Sequence, residues 1–264
     1  MLASLAARCW HRSRLDARIA RGSMLASLAA RCSHRAAPAA YLFGAGDAGE
    51  SSVSMQAERS LPSGARALLD FWFAGVGDAP LDPKGPVVAR WFTKNAAFDA
   101  ELRARFADDL DRAARGELGA WCATPRGALA FVLLCDQVAR NVHRGTPLAF
   151  ATDPHALHTT LLALARVDSA HLTIPEWTFL AMPLMHSESL AVHDIARAEF
   201  AAIAAYAEAN APGWLPYARG TIDYEERHRE VIERFGRYPH RNMILGRTST
   251  GAEVAFLREP GSSF

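Results

Sequence analysis

The 264-residue chain contains no uninterrupted apolar run of the roughly 18 residues that a membrane-spanning helix needs, so no transmembrane segment is expected. Cysteine is scarce. Cys9, Cys32, Cys122 and Cys135 are the four, and no two have CxxC spacing, which argues against a disulfide framework or a zinc ribbon and for a reducing compartment. The apolar neighbours of Cys122 and Cys135 read them as small core residues rather than nucleophiles. A GxxxxGK phosphate cradle and an HExxH zinc helix are both missing. No Ser or Cys sits in an activating context, so covalent catalysis and ATP use are disfavoured, and no pattern names a metal or a cofactor. Charge of one sign is not in excess either. The formal net charge of +1 gives no general argument for nucleic acid or an acidic partner. There is no Asn-Gly or Asp-Gly hairpin turn and no clear period-2 alternation, so nothing reads as a strand.

What remains is ordinary globular composition, half hydrophobic and 22% charged, on a chain long enough for one large or two small domains. The N-terminus stands apart. Residues 1–12 read MLASLAARCWHR and residues 24–35 read MLASLAARCSHR, differing only at Trp10 versus Ser33. A near-perfect copy 23 residues on looks like a recent duplication or an over-extended start rather than a diverged structural repeat. Seven Arg against the single acid Asp16 before residue 36 also suit an organelle transit peptide or a basic arm. Pro38 to Ser63 is rich in Gly, Ser and Ala and reads as linker, and Met55 is an alternative start. Residues 1–60 are therefore set apart as a leader, and residues 61–264 are expected to form one all-helical domain.

From Leu61 onward helical periodicity dominates. Leu68, Leu69, Phe71, Trp72 and Phe73 mark a short apolar helix, followed by a Gly/Pro-rich loop to Pro86. Phe98, Leu102, Phe106 and Leu110 recur every four residues on an amphipathic helix that Gly116 ends. Thr124-Pro125 is a helix start, with Thr as N-cap and Pro in the first turn. The run from Ala128 to Leu134 behind it is apolar on all sides and reads as central. Asp153-Pro154 opens a helix to about Arg166. Thr173 and Pro175 open a short one that Pro183 is expected to interrupt. Ser187-Glu188 starts a long Ala-rich helix to about Asn210, and Tyr217 to Phe235 is a charged one. Thr250 with Glu253 has the spacing of a capping box for a last helix through Leu257. The reading is all-α, with about eight or nine helices.

Three polar clusters interrupt this apolar chain. In the first, Asp136, Arg140 and Arg144 are spaced by four and share a helix face, with Asn141 beside them. Cations suit a helix C-terminus, and a buried Arg needs an acid, so ion pair and functional site are both open. The second is His186 with Glu188, at a junction where the acid suits the start of the next helix or the two converge on a cavity. The third is the loop FGRYPHRNMILGR over 235–247, with the preceding helix that places His228 one turn from Tyr224. From Arg227 to Arg247 there are six Arg and two Glu, an excess of four positive charges. Such Arg residues can tie down helix ends. Arg237, Arg241 and Arg247 together with His240 and Asn242, in a loop shaped by Gly and Pro, instead suit a carboxylate or phosphate, which the planar guanidinium fork pairs bidentately. His155, His158, His171 and His193 lack comparable context and read as incidental. Trp72, Trp91, Phe92 and Trp121 read as core rather than a base-stacking platform.

The string DQxxRNxxRGTxxAFxTD at Asp136 to Asp153, HSE at 186–188 and HxxxIxRFGRYPHRNxxLGRxST from His228 resemble the bacterial domain-of-unknown-function family numbered 924, as does the LDFWF segment at Leu69 to Phe73. The resemblance spans about residues 66–258. It implies an all-helical fold of the tetratricopeptide-like superfamily and no activity. His193 departs from the Gln expected there, which argues against an essential role for it. The expected function is a site for a small anionic ligand, bound by Asp136, Arg140, Asn141, Arg144, Arg237, Arg241, Asn242 and Arg247. In an enzyme, His186, His228 or His240 with Glu188 would do the acid–base work. The alternative is a tetratricopeptide-like scaffold for a peptide or protein, although no 34-residue repeat is visible. Nucleic-acid contact lacks a strongly basic domain and interleaved aromatics. A cytoplasmic location is expected, with organelle targeting by residues 1–54 as the exception.

Overall fold

The computed structural model describes residues 61–82, 84–166 and 172–262. The leader expected over residues 1–60, the alternative start at Met55 and His171 lie outside the described residues. The helices are α1 (Ser63–Trp72), α2 (Pro86–Phe92), α3 (Ala96–Ala114), α4 (Pro125–Val132), α5 (Ala139–Val142), α6 (Asp153–Arg166), α7 (Ile174–Met185), α8 (Leu190–Asn210), α9 (Leu215–Phe235) and α10 (Gly251–Phe256). A π-helical turn, Leu133–Val138, joins α4 to α5 without a break, so the rod counts as one and nine helices stand among the described residues, with no strand. None of them is long and apolar enough to cross a membrane.

Local chemistry sets the helix starts. Asn95 opens α3 by accepting from the N–H groups of Ala97 and Phe98 at 3.0 and 3.1 Å. Thr124 opens α4 by accepting from Gly127 N–H at 3.1 Å, with Pro125 in the first turn. Gly127 is required there, because a Cβ would stand 1.9 Å from the Trp121 carbonyl oxygen. Thr173 and Glu176 form a capping box for α7, and Thr250 and Glu253 form one for α10. Gly236, at φ 67°, closes α9 in the left-handed conformation.

Two starts and stops differ from the periodicity. Pro183 does not end α7, which continues to Met185. Every residue of that helix is buried, so packing on both sides outweighs the hydrogen bond that proline cannot donate to the Phe179 carbonyl. The next helix starts at Leu190 rather than at Ser187-Glu188, which leaves Glu188 in the connection instead of the first turn.

Apolar surface then assembles the helices. The α4 rod is buried all round and packs on α1, α6 and α7, while α8 lies between α7 and α9. The faces expected from α3, with Phe98, Leu102, Phe106 and Leu110, all point into this core. Around Phe179 of α7 stand Trp72, Phe73, Trp91 and Phe92, at ring separations of 4.9 to 6.1 Å. Cys122 and Cys135 are free thiols, and burial pushes Cys122 up to about 12. A separate, much smaller apolar cluster of Val231, Ile232 and Tyr238, with Phe235 and Phe256, supports the segment after α9.

Candidate functional site

The π turn lies where the first polar cluster begins. A π turn relaxes the ordinary i to i+4 ladder and is frequent at functional positions. Its carbonyls are held by side chains. Cys135 accepts from Thr152 Oγ1 at 2.6 Å, Asp136 from an Arg140 NH group at 2.7 Å and Gln137 from Asn141 Nδ2 at 2.8 Å. The Asp136 carboxylate is 1% exposed. Its Oδ2 accepts from Gln137 Nε2 at 2.6 Å, and its Oδ1 faces both Arg140 at 3.2 Å and His186 Nδ1 at 2.7 Å. Burial pushes this carboxyl up, but Arg140 and His186 more than compensate and hold it well below the usual carboxylate range. An ionised Asp136 only accepts, so His186 Nδ1 carries the hydrogen and Nε2 keeps the lone pair. Nε2 has no hydrogen-bond partner among the described residues. The His186 pKa is lowered, chiefly by burial, while Asp136 opposes the shift and Arg140 and Arg241 add to it. A carboxylate that fixes the tautomer of a partly exposed imidazole is the arrangement general bases use.

His186 follows the last turn of α7, where helix carbonyls run out of internal donors. Three side chains from later in the chain supply them. Tyr238 Oη donates to Met185 O at 2.6 Å, Arg241 to His186 O at 3.1 Å and His193 Nε2 to Ser187 O at 3.0 Å. Behind His193 stands Glu225, with Oε1 2.7 Å from Nδ1 and both side chains fully buried. Glu225 Oε2 is buried without a partner, and burial raises the pKa of this carboxyl. Tyr238 Oη also lies 3.2 Å from His193 Nε2.

The loop after α9 brings the guanidinium groups. Arg140 grips Asp153 with two bonds, at 2.8 and 3.2 Å. Arg241 reaches the same carboxylate at 3.3 Å and is flanked by the rings of Phe150 and Tyr238, with its guanidinium carbon 4.7 and 4.6 Å from their centroids. Its Nε is buried with no partner, and burial and Arg140 lower its pKa. Arg247 pairs bidentately with Glu188 at 2.7 and 2.9 Å, and Glu188 also accepts from Tyr238 N–H at 2.8 Å. Burial would raise Glu188, and Arg247 and that N–H bring it down. The rings of His228 and His186 are 6.2 Å apart, those of His228 and Tyr238 5.8 Å, and those of Tyr238 and His240 5.5 Å. Burial, reinforced by His186, pushes His228 down to about 3. Burial and Arg241 push His240 down to about 4. Both rings are therefore neutral at pH 7. Among the described residues no three His, Cys, Asp or Glu side chains are arranged to hold a metal ion.

Of the residues singled out in the sequence, Asp136, Arg140, His186, Glu188, His228, His240, Arg241 and Arg247 come together in this network. Arg144 does not join it. Its fork pairs with Asp99 of α3 at 2.9 and 3.0 Å and with Asn141 Oδ1 at 2.8 Å, at the surface. Arg237 pairs with Glu253 of α10 at 2.6 and 2.8 Å, and Asn242 is fully buried inside the loop, donating to Ser249 Oγ at 3.1 Å. Asp153, Phe150, Tyr238, Glu225 and His193 take part although the sequence did not single them out. The contacts of Asp153 with Arg140 and Arg241, of Glu225 with His193 and of Tyr238 with Met185 span 13 to 88 residues, so no helical spacing could have shown them. His193, read as incidental, is fully buried within the network.

Residues 68–261 match the family described as "Bacterial protein of unknown function (DUF924)". A solved structure of a protein of unknown function from Agrobacterium tumefaciens is similar at a TM-score of 0.58 and 33% identity, covering 74% of this chain and 96% of that one. No curated protein matches the chain. The chain belongs to this uncharacterised bacterial family.

Proposed function

We propose that the protein binds a small anionic ligand, a carboxylate or a phosphate, at Arg241 and that His186 does acid–base chemistry beside it. One observation carries the reading, a buried guanidinium short of acceptors. Arg241 has five N–H donors, reaches only Asp153 at 3.3 Å and the His186 carbonyl at 3.1 Å, and leaves Nε buried without a partner. A ligand oxyanion would complete that shell. Its arrival next to Asp153 would have to displace or share the carboxylate, which Arg140 already holds more tightly. Arg140 and Arg247 have their charge matched by Asp153 and Glu188, so in this reading they shape the site and Arg241 receives the ligand. Asp136 orients His186, and the neutral rings of His228 and His240 line the same side. Arg144 and Arg237, with Asn141 and Asn242, hold the outer parts of the cluster. A cytoplasmic location belongs to the same reading, consistent with the free thiols of Cys122 and Cys135.

A thermal-shift screen of the full chain against inorganic phosphate, phosphorylated metabolites and small carboxylates tests this. A ligand at about 100 times its Kd stabilises the fold by roughly 2.7 kcal/mol. The expected result is a hit lost in Arg241→Ala and weakened in Arg241→Lys, which keeps the charge but not the fork, with both variants folded. Silence for the folded wild type across the panel overturns the reading. The second reading, a scaffold for a peptide or protein partner, is favoured by one feature, the exposed apolar side chains Met243, Leu245, Val254 and Leu257 near the C-terminus.

A further inference from the structure

We infer that His193, backed by Glu225, is a positioning residue that sets the tautomer and placement of His186. The inference rests on the reading of His186 as the acid–base group. The Ser187 carbonyl can only accept, so His193 Nε2 carries a hydrogen. The Tyr238 hydroxyl donates to Met185 O, and its oxygen lies 3.2 Å from the same Nε2. A single proton then lies between His193 Nδ1 and Glu225 Oε1, 2.7 Å apart. Glu225 Oε2 is buried with no donor, a poor place for full negative charge, and the pair shares that one proton. The charged and titratable neighbours are Glu226 and Arg229 on α9, which oppose each other, His228 on α9 and the Tyr238 hydroxyl after it.

The consequence reaches His186 through the backbone. Met185, His186 and Ser187 have their three successive carbonyls fixed by Tyr238, Arg241 and His193. Two of those clamps, Tyr238 and His193, also touch each other. The segment carrying His186 is thus pinned on both sides of the residue that must meet Asp136 at 2.7 Å. A loose Ser187 carbonyl would let the imidazole leave Asp136 and sample both tautomers.

The test reads His186 directly in the ligand-free full chain, by long-range proton–nitrogen NMR of the imidazole as a function of pH. Wild type is expected to show a single Nδ1–H tautomer. His193→Gln keeps an N–H donor for the Ser187 carbonyl and is expected to retain that tautomer. His193→Leu removes the donor and is expected to give a tautomer mixture. His193→Leu also strands Glu225, so the double variant His193→Leu/Glu225→Leu, which replaces the polar pair by apolar side chains, supplies a folded background for the same measurement. A pure Nδ1–H tautomer in the folded Leu variants overturns the positioning role. A tautomer mixture already present in wild type would instead overturn the acid–base reading of His186, and a silent ligand screen would affect neither result.

Discussion

The helical body and the segment after α9 are held together by different forces. Around Phe179 and the α4 rod, aromatic and aliphatic side chains fill a continuous core, and the polar groups are mostly backbone ones satisfied within helices. The segment after Phe235 rests on a buried apolar set of only Val231, Ile232 and Tyr238. Guanidinium–carboxylate pairs fasten that segment instead, as forks from Arg247 to Glu188 and from Arg237 to Glu253 and as a single contact from Arg241 to Asp153. Apolar contact is non-directional and tolerates small shifts, whereas these forks fix distance and angle together. The candidate site lies where the two regimes meet, at the C-terminal end of α7, and it inherits a rigid floor from one and directional chemistry from the other.

The largest effect is expected at the floor. Phe179→Ala empties a fully buried position among four aromatic rings and is expected to cost about 3–5 kcal/mol of global stability in a urea titration. Unfolding should remain one cooperative transition, with loss of both regions together. Tyr238→Phe acts at the boundary. It removes the donor to Met185 O and leaves a buried carbonyl unsatisfied, a cost of about 1–3 kcal/mol. Hydrogen exchange should report it as faster opening at 185–187 and in the segment after Gly236, with α1 to α4 unchanged.

Acid sharpens the difference further. His228 and His240 have folded-state pKa values of about 3 and about 4, below the unfolded value of about 6.5. The unfolded chain therefore binds more protons as the pH falls. The stability they contribute is complete above about 6.5, declines below it and is lost as the pH passes about 4 and then about 3. Urea midpoints followed from pH 7 to pH 4 should fall, and His240→Gln should flatten the slope. An unchanged slope in that variant would show that His240 is not buried neutral. The smallest effect is expected at the periphery. Arg144→Ala breaks a surface pair with Asp99 and should cost about 0–1 kcal/mol, less in high salt.

Legibility in the sequence followed the same boundary. Thr124-Pro125, Asp153-Pro154 and Thr250 with Glu253 marked helix starts because their chemistry acts within one turn. Pro183 misled because burial of α7 on every side outweighs one missing hydrogen bond, a fact about neighbours rather than about the local chain. Asp136 and His186 were visible as polar interruptions of apolar runs, but their 2.7 Å contact spans 50 residues. His193 carried no signal at all, since its value comes from Glu225, 32 residues later, and from a carbonyl.

By itself the sequence determined the helical class, most helix boundaries, the apolar faces and the residue types that could bear chemistry. Periodicity and capping are short-range, so one chain is enough to read them. Only the tertiary structure decided which acid meets which arginine. It also decided that Arg144 and Arg237 pair with Asp99 and Glu253 while Arg241 lies beside His186, and that three buried side chains hold the carbonyls around that histidine. Ion pairs and side-chain clamps depend on distances across packed helices, and those distances exist only once the core has formed.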